Sequence, residues 1–340
     1  MWAQQLVAPN RFEFREVTAP RESSLAVGDV IVRLEAGGIC GSDLPFFKGA
    51  APNVPGFSTR LGDTPPGLPL HEIVGTVVAE RGTDLRVGDR VVGWATSVAG
   101  LAELVTTSAS SLISIDSDLP PGRAVALQPL ACVLHALDRV SDIEGRSATI
   151  LGVGPIGVLF AHVLRSRGAQ RVLGVDAVDR SDLALSFGMD EFVQSTASSY
   201  AATCRADSEV RADLVVEAIG HQSGTLFDVV DVVADGGTIL YFGIVDDEYL
   251  TIPFGELARR NATLMAGFTE EPGRRAALAK AVNYVQEFPD LLPAYVTHEF
   301  QLAHAGQAFA MAASPVLGQL KIVVTYPPTL ARSSEHGPKD

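Results

Sequence analysis

The chain has 340 residues, long for one domain and comfortable for two. Hydrophobic residues make up 47% and charged residues 19%, which describes a protein with a substantial core and excludes a disordered or fibrous chain. The formal charge of −14, from 26 basic and 40 acidic residues, sets a surface that repels phosphate backbones, so no nucleic-acid partner is expected.

In chain order, the first stretch, "MWAQQLVAPNRFEF", shows no basic region followed by an apolar run, so no secretory signal is expected. No window approaches the roughly 20 apolar residues of a membrane span, and no membrane association is expected. Cys40, Cys132 and Cys204 are odd in number and widely spaced, which does not suggest a disulfide framework. The expected location is the cytoplasm. To about residue 125, short apolar runs punctuated by Gly and Pro predict strands: "VGDVIVRLEAGG", "HEIVGTVVAE", "VGDRVVGW" and "GLAELVTT". Between the first two, Ala51 to Pro69 is rich in Pro and Gly and reads as a long surface loop.

From about residue 140 the rhythm changes. "SATILGVGPIG" predicts a buried strand entering a helix whose apolar face is Ile156, Leu159, Phe160, Val163 and Leu164. "RVLGVDA", "ADLVVEAIG" and "GGTILYFGIV" predict further strands with helical stretches between, the pattern of a parallel, doubly wound α/β sheet. A helix over "GRRAALAKAVNYVQEF" then leads to the strand "AYVTHEF", a short helix and the strand "GQLKIVVTY". The tail from Pro327 reads as disordered.

Gly152, Gly154 and Gly157, with Pro155 and Ile156 between them, have the G-x-G-x-x-G spacing. Alone that spacing is weak, but here a strand precedes it and an amphipathic helix follows. Gly152 allows the tight turn, Gly154 lets the backbone approach a pyrophosphate, and Gly157 lets helix and strand pack closely. Asp176 ends the next strand, 19 residues after Gly157, where a carboxylate binds the adenosine ribose hydroxyls. That acid would repel a 2′-phosphate and favours NAD over NADP; Arg180 nearby blurs the preference.

Cys40 is followed by Gly41, Ser42 and Asp43, and His71 and Glu72 open the strand about thirty residues on. Thiolate, imidazole and carboxylate suit Zn²⁺, and a catalytic zinc keeps one position open. On the residues alone, a buried cysteine with a hydrogen-bonded histidine accounts for them equally well.

The segments "VIVRLEAGGICGSD", "HEIVGTVVAE", "VGDRVVG", "GLAELV", "LQPLACVLHAL", "ATILGVGPIG" and "GQLKIVV" together resemble the zinc-dependent medium-chain dehydrogenase/reductase family, its alcohol and polyol dehydrogenases. The resemblance implies a GroES-like β-rich catalytic domain over residues 1–130 and 269–340 around a Rossmann dinucleotide-binding domain over 131–268. It implies Cys40, His71 and Glu72 as metal ligands, with Asp43 supporting the ligand histidine and Ser42 bonding the substrate oxygen. It also implies Lys321 near the cofactor pyrophosphate, and the backbone of Glu217, Ala218, Ile219 and Gly220, with Phe242 and Gly243, along the nicotinamide. The chain departs from the family in four places. The structural-zinc lobe is missing, so one catalytic zinc and no second zinc is expected. Pro45 stands where many relatives carry a relay histidine, and Leu70 replaces a glycine. Gln128 occupies the position of a further acidic or thiolate ligand, where an amide binds zinc weakly or not at all.

The expected function is NAD- and zinc-dependent interconversion of a secondary alcohol, of polyol, sugar-derived or cyclitol type, with its ketone. The alternatives are a zinc-free NAD(P)H-dependent reductase of the same fold acting on an activated carbonyl or enone, and a non-catalytic NAD-binding protein. Trp94, Phe46 and Phe47 are read as ordinary packing or as a less polar pocket wall. By the resemblance the protein is a homodimer or homotetramer, paired through an edge strand of the Rossmann sheet in "GGTILYFG" or "ATLMAGF".

Overall fold

In the computed structural model, residues 1–49, 64–115 and 118–327 are described. Most of the long loop read between Ala51 and Pro69, and nearly all of the tail from Pro327, lie outside them. An antiparallel hairpin, β1 (Trp2–Ala8) and β2 (Arg11–Glu16), opens the chain. There follow β3 (Asp29–Gly38), β4 (Glu72–Glu80), β5 (Arg90–Trp94), β6 (Leu104–Ser108) and β7 (Leu112–Ser114).

The middle of the chain supplies β8 (Ser147–Leu151), β9 (Arg171–Asp176), β10 (Glu191–Gln194), β11 (Ala212–Glu217), β12 (Val233–Tyr241) and β13 (Thr263–Ala266). These form one six-stranded sheet in the order β10-β9-β8-β11-β12-β13, every pair parallel. Helices join parallel strands because the chain must return to the starting edge, and a right-handed crossover covers the sheet as it does so. Of the two stretches expected at the edge, "GGTILYFG" falls in β12, which has a neighbour on both sides. "ATLMAGF" supplies β13, the edge strand, so the first expectation is corrected.

The last strands, β14 (Val296–Gln301) and β15 (Lys321–Thr325), leave the parallel sheet. They complete a seven-stranded sheet ordered β14-β15-β3-β4-β5-β7, with β6 also on β3. The largest core joins the two sheets. Leu127, Leu130 and Leu134 of the helix Leu127–Leu137 pack there with Leu159, Phe160 and Val163 of the helix Pro155–Ser166. The face expected for the second helix is buried at Leu159, Phe160, Val163 and Leu164, with Ile156 partly exposed at the helix start. A second core beneath the seven-stranded sheet takes Phe47, which stacks with Phe12 and Phe309. Phe46 and Phe47 are therefore packing residues. Among the described residues, no helix is long and apolar enough to cross a membrane.

Candidate active site

Asp43 organises the first half of the site. Cys40 precedes the single 3₁₀ turn Gly41–Asp43, and its backbone N–H donates to Asp43 Oδ2 at 2.9 Å. Asp43 Oδ1 accepts from His71 Nδ1 at 3.0 Å, and the carboxylate is 1% exposed. One buried carboxylate thus fixes both Cys40 and His71, and leaves His71 Nε2 free to bind a metal. Burial lowers the imidazole pKa, but Asp43 and Cys40 outweigh it and hold it well above its ordinary value.

Glu72 comes from the first residue of β4, opposite Gly38 of β3 and Trp94 of β5. Lys321, at the start of β15, brings its ammonium 2.6 Å from both carboxylate oxygens. It is aligned to donate to Oε1, and also donates to the Ile39 carbonyl at 2.8 Å. Glu72 Oε2 is buried without a hydrogen-bond partner. The close approach explains a glycine: a Cβ on Gly38 would lie 2.2 Å from Glu72 Oε2 and 3.0 Å from Lys321 Cε. Burial pushes the Glu72 carboxyl upward, and Lys321 opposes that shift.

The ligand atoms of Cys40, His71 and Glu72 all lie within 4.8 Å of one another. A soft thiolate, a histidine with its second nitrogen anchored and a buried carboxylate oxygen that accepts no aligned hydrogen bond fit zinc with one position left open. Gln128, 2% exposed, turns its amide to the Cys132 sulfur at 3.6 Å. Burial raises the Cys132 thiol pKa to about 12. Ser42 is half-buried beside Asp43, and Pro45 lies in the following turn, Leu44–Phe47.

The glycine turn sits at the end of β8, with Pro155 and Ile156 opening the helix Pro155–Ser166. Gly152 has φ +92°, and a Cβ on Gly157 would meet the Gly152 carbonyl oxygen at 2.0 Å, so helix and turn touch as the spacing predicts. Nothing lies near a Cβ built on Gly154, which faces open space. Asp176 braces this turn, accepting from the Val153 N–H at 2.7 Å and the Val178 N–H at 2.8 Å.

One cleft of about 480 Å³ carries both groups: Gly154, Ile156 and Asp176 come from the parallel-sheet side, and Cys40, Glu72 and Lys321 from the other sheet. Gly152, Pro155, Ala218 and Ile219 line it too, whereas Gly157, Phe242 and Gly243 are not among its lining residues. Arg180 also borders the cleft, but is 2% exposed and donates to the carbonyls of Val316 and Gln319. Phe242 packs edge-on against Phe160.

One side-chain role and one residue escaped the sequence reading. Glu217, wholly buried, accepts from the N–H groups of Ile219, Gly220 and Gly243, each at 3.1 Å, and so ties the ends of β11 and β12 beneath the cleft. Tyr295 is 0% exposed, and among the described residues its hydroxyl has no hydrogen-bond partner. Burial, with the charges of Glu72, Cys40 and Cys132, drives its pKa well up. The segment from Glu217 to Gly220 marks a stretch of backbone and not the bonds of the Glu217 carboxylate, and Tyr295 belongs to no short motif.

Two family models match the chain, an alcohol dehydrogenase GroES-like domain over residues 26–117 and a glucose dehydrogenase C-terminus over residues 124–325. D-altritol 5-dehydrogenase of Agrobacterium fabrum is 29% identical over 313 residues, covering 82% of this chain and 87% of its own. D-arabinitol dehydrogenase 1 of Uromyces fabae is 27% identical over 269 residues, covering 67% and 74%. Among solved structures, 2R,3R-butanediol dehydrogenase from Bacillus subtilis superimposes with a TM-score of 0.75 at 21% identity, over 95% of this chain and 99% of its own. The chain belongs to the zinc-dependent medium-chain dehydrogenase family, a family of alcohol and polyol oxidoreductases that use a nicotinamide cofactor.

Proposed function

We propose that this protein is an NAD- and zinc-dependent oxidoreductase interconverting a secondary alcohol, of polyol, sugar-derived or cyclitol type, with its ketone by hydride transfer. The observation that carries the reading is that Cys40 and Glu72 of the Cys40–His71–Glu72 triad border one cleft with Gly152, Gly154, Pro155 and Ile156 of the glycine turn. The polyols in the names of the altritol and arabinitol relatives support the substrate class.

Within that cleft the chain's own groups divide the work. Gly154 leaves room for a pyrophosphate, and Asp176, already holding the turn, offers its remaining lone pairs to the ribose hydroxyls. Glu217 fixes the backbone at Ile219 and Gly243 against which the nicotinamide would rest. Asp43 orients Cys40 and His71, and Lys321 stabilises the ionised form of Glu72. Zinc held there would act as a Lewis acid and ease loss of the hydroxyl proton. Ser42, next to the triad, is the group that would accept that proton; Pro45 has no ionisable group to pass it on. Residues 1–130 and 269–340 form the catalytic domain in this reading, and 131–268 the dinucleotide domain.

Elemental mass spectrometry on protein purified without chelator tests the metal, and NAD or NADP reduction over a panel of polyols and cyclitols tests the chemistry. About one zinc per chain and NAD-preferring oxidation are expected. Folded protein that contains no zinc and takes none up would replace this reading with the zinc-free reductase that Gln128 favours.

A further inference from the structure

Trp94 is the β5 partner of Glu72 in the β4–β5 ladder. Directly opposed residues of an antiparallel pair leave the sheet on the same face, so the indole stands beside the triad. Arg274, in the first turns of the helix Glu271–Glu287, lays its guanidinium carbon 5.0 Å from the centre of the Trp94 ring. Its Nη1 donates to Ser111 Oγ at 2.9 Å. Among the described residues its Nε is buried with no hydrogen-bond partner and the side chain forms no close ion pair, the Glu271 charge acting on it only at longer range. Glu271, one turn earlier, is held by the Ser110 hydroxyl. Thr269, just before the same helix, has a buried hydroxyl beside the Cys132 thiol that makes no well-aligned hydrogen bond among the described residues. The charge of Arg274 reaches Cys132, which in turn feels Cys40 and Glu72.

A half-buried guanidinium whose one acting acid, Glu271, is turned to a hydroxyl and lies beyond ion-pair distance loses solvation and gains little in return. Stacking on Trp94 restrains the planar group while its donors remain available, the geometry suited to an oxygen anion. We propose that Arg274 binds a carboxylate or phosphate of the substrate, whose hydroxyl is presented to Cys40, His71 and Glu72. The substrate is then an acidic polyol derivative, and Thr269 supplies a second hydrogen bond to its anionic group. This deepens the dehydrogenase reading above and rests on it.

Full-length, zinc-loaded protein is titrated with D-gluconate, sorbitol 6-phosphate and neutral sorbitol, following tryptophan fluorescence, since Trp94 lies under the guanidinium. At least one acid should saturate the signal and sorbitol should not, and the stronger acid distinguishes carboxylate from phosphate. Arg274→Gln should weaken that binding about 10- to 100-fold, the loss expected when a charged hydrogen-bonding partner is removed. Arg274→Lys, which keeps the charge and guards against a folding defect, should fall between. Acid affinity unchanged in folded Arg274→Gln, no saturation by either acid, or sorbitol binding as tightly as the acids overturns the proposal. NAD reduction over the same three compounds separates the two readings. Arg274-dependent acid binding without turnover counts against the dehydrogenase reading alone, and equal turnover of sorbitol counts against the anion site alone.

Discussion

Asp43 touches neither solvent nor the cleft, yet both Cys40 and His71 depend on it. Asp43→Asn keeps the shape but offers only one acceptor oxygen, so either the Cys40 amide or the His71 ring loses its bond. Zinc affinity should fall about 10- to 100-fold, measured by competition with a chromophoric chelator; unchanged affinity would mean the ligands are positioned by their strands alone. Because thiol and imidazole must lose protons to bind, zinc should also leave as pH falls. Tyr295 makes the opposite case. Its buried hydroxyl has no hydrogen-bond partner among the described residues, so Tyr295→Phe should stabilise the fold by about 1 kcal/mol, seen as a higher midpoint in urea. A lower midpoint would show that the hydroxyl has a bond after all. Cys40, His71 and Glu72 were legible as residues because their types suit one metal. The phenol was not, since its place beside them comes from the helix Leu291–Tyr295 running into β14, whose Val296 lies opposite Lys321.

At the scale of elements, the strand–turn–helix unit at Gly152–Gly157 and the acid ending β9 were readable because their requirements are local: a positive φ, a close helix, a carboxylate at a strand end. The opening hairpin was not read, because β2 is almost wholly outside the core and shows no buried alternation. Lys321 shows a different limit. Resemblance placed it near a pyrophosphate, and it does border the cleft. Its pairing with Glu72, however, spans 249 positions and follows from the β15-β3-β4 order, which no short segment encodes. That order gives Gly38 its importance. In Gly38→Ala the new methyl must displace Glu72 Oε2 or the Lys321 stem. We expect about 1–3 kcal/mol of destabilisation from the overpacking, with less zinc bound per chain. Wild-type zinc content in this variant would show that Glu72 is not needed to hold the metal.

Across the whole molecule, the triad and the dinucleotide turn come from different sheets, so their spacing depends on the helices packed between them. Asp138, at the end of the helix Leu127–Leu137, joins three of these. It accepts from Arg167, which follows the helix Pro155–Ser166, at 2.7 Å, and pairs with Lys280 of the helix Glu271–Glu287. Burial raises its carboxyl pKa, but Lys280 and Arg167 more than offset this and hold it below the ordinary value. A carboxyl whose folded pKa is depressed stabilises the fold fully above its unfolded pKa, about 3.9, and that contribution is lost as pH falls through the lower folded value. Asp138 is 30% exposed at its side chain, so solvent screening limits the gain at neutral pH to about 1 kcal/mol or less. Asp138→Asn should therefore lower the thermal midpoint at pH 7, and the difference from wild type should shrink as pH is taken below about 4. Thermal scans of both proteins from neutral pH into acid measure it, in a buffer of constant ionic strength. A difference that stays constant across that range would mean that the amide fails through packing, and that the ion pairs do not set the spacing of the two sheets.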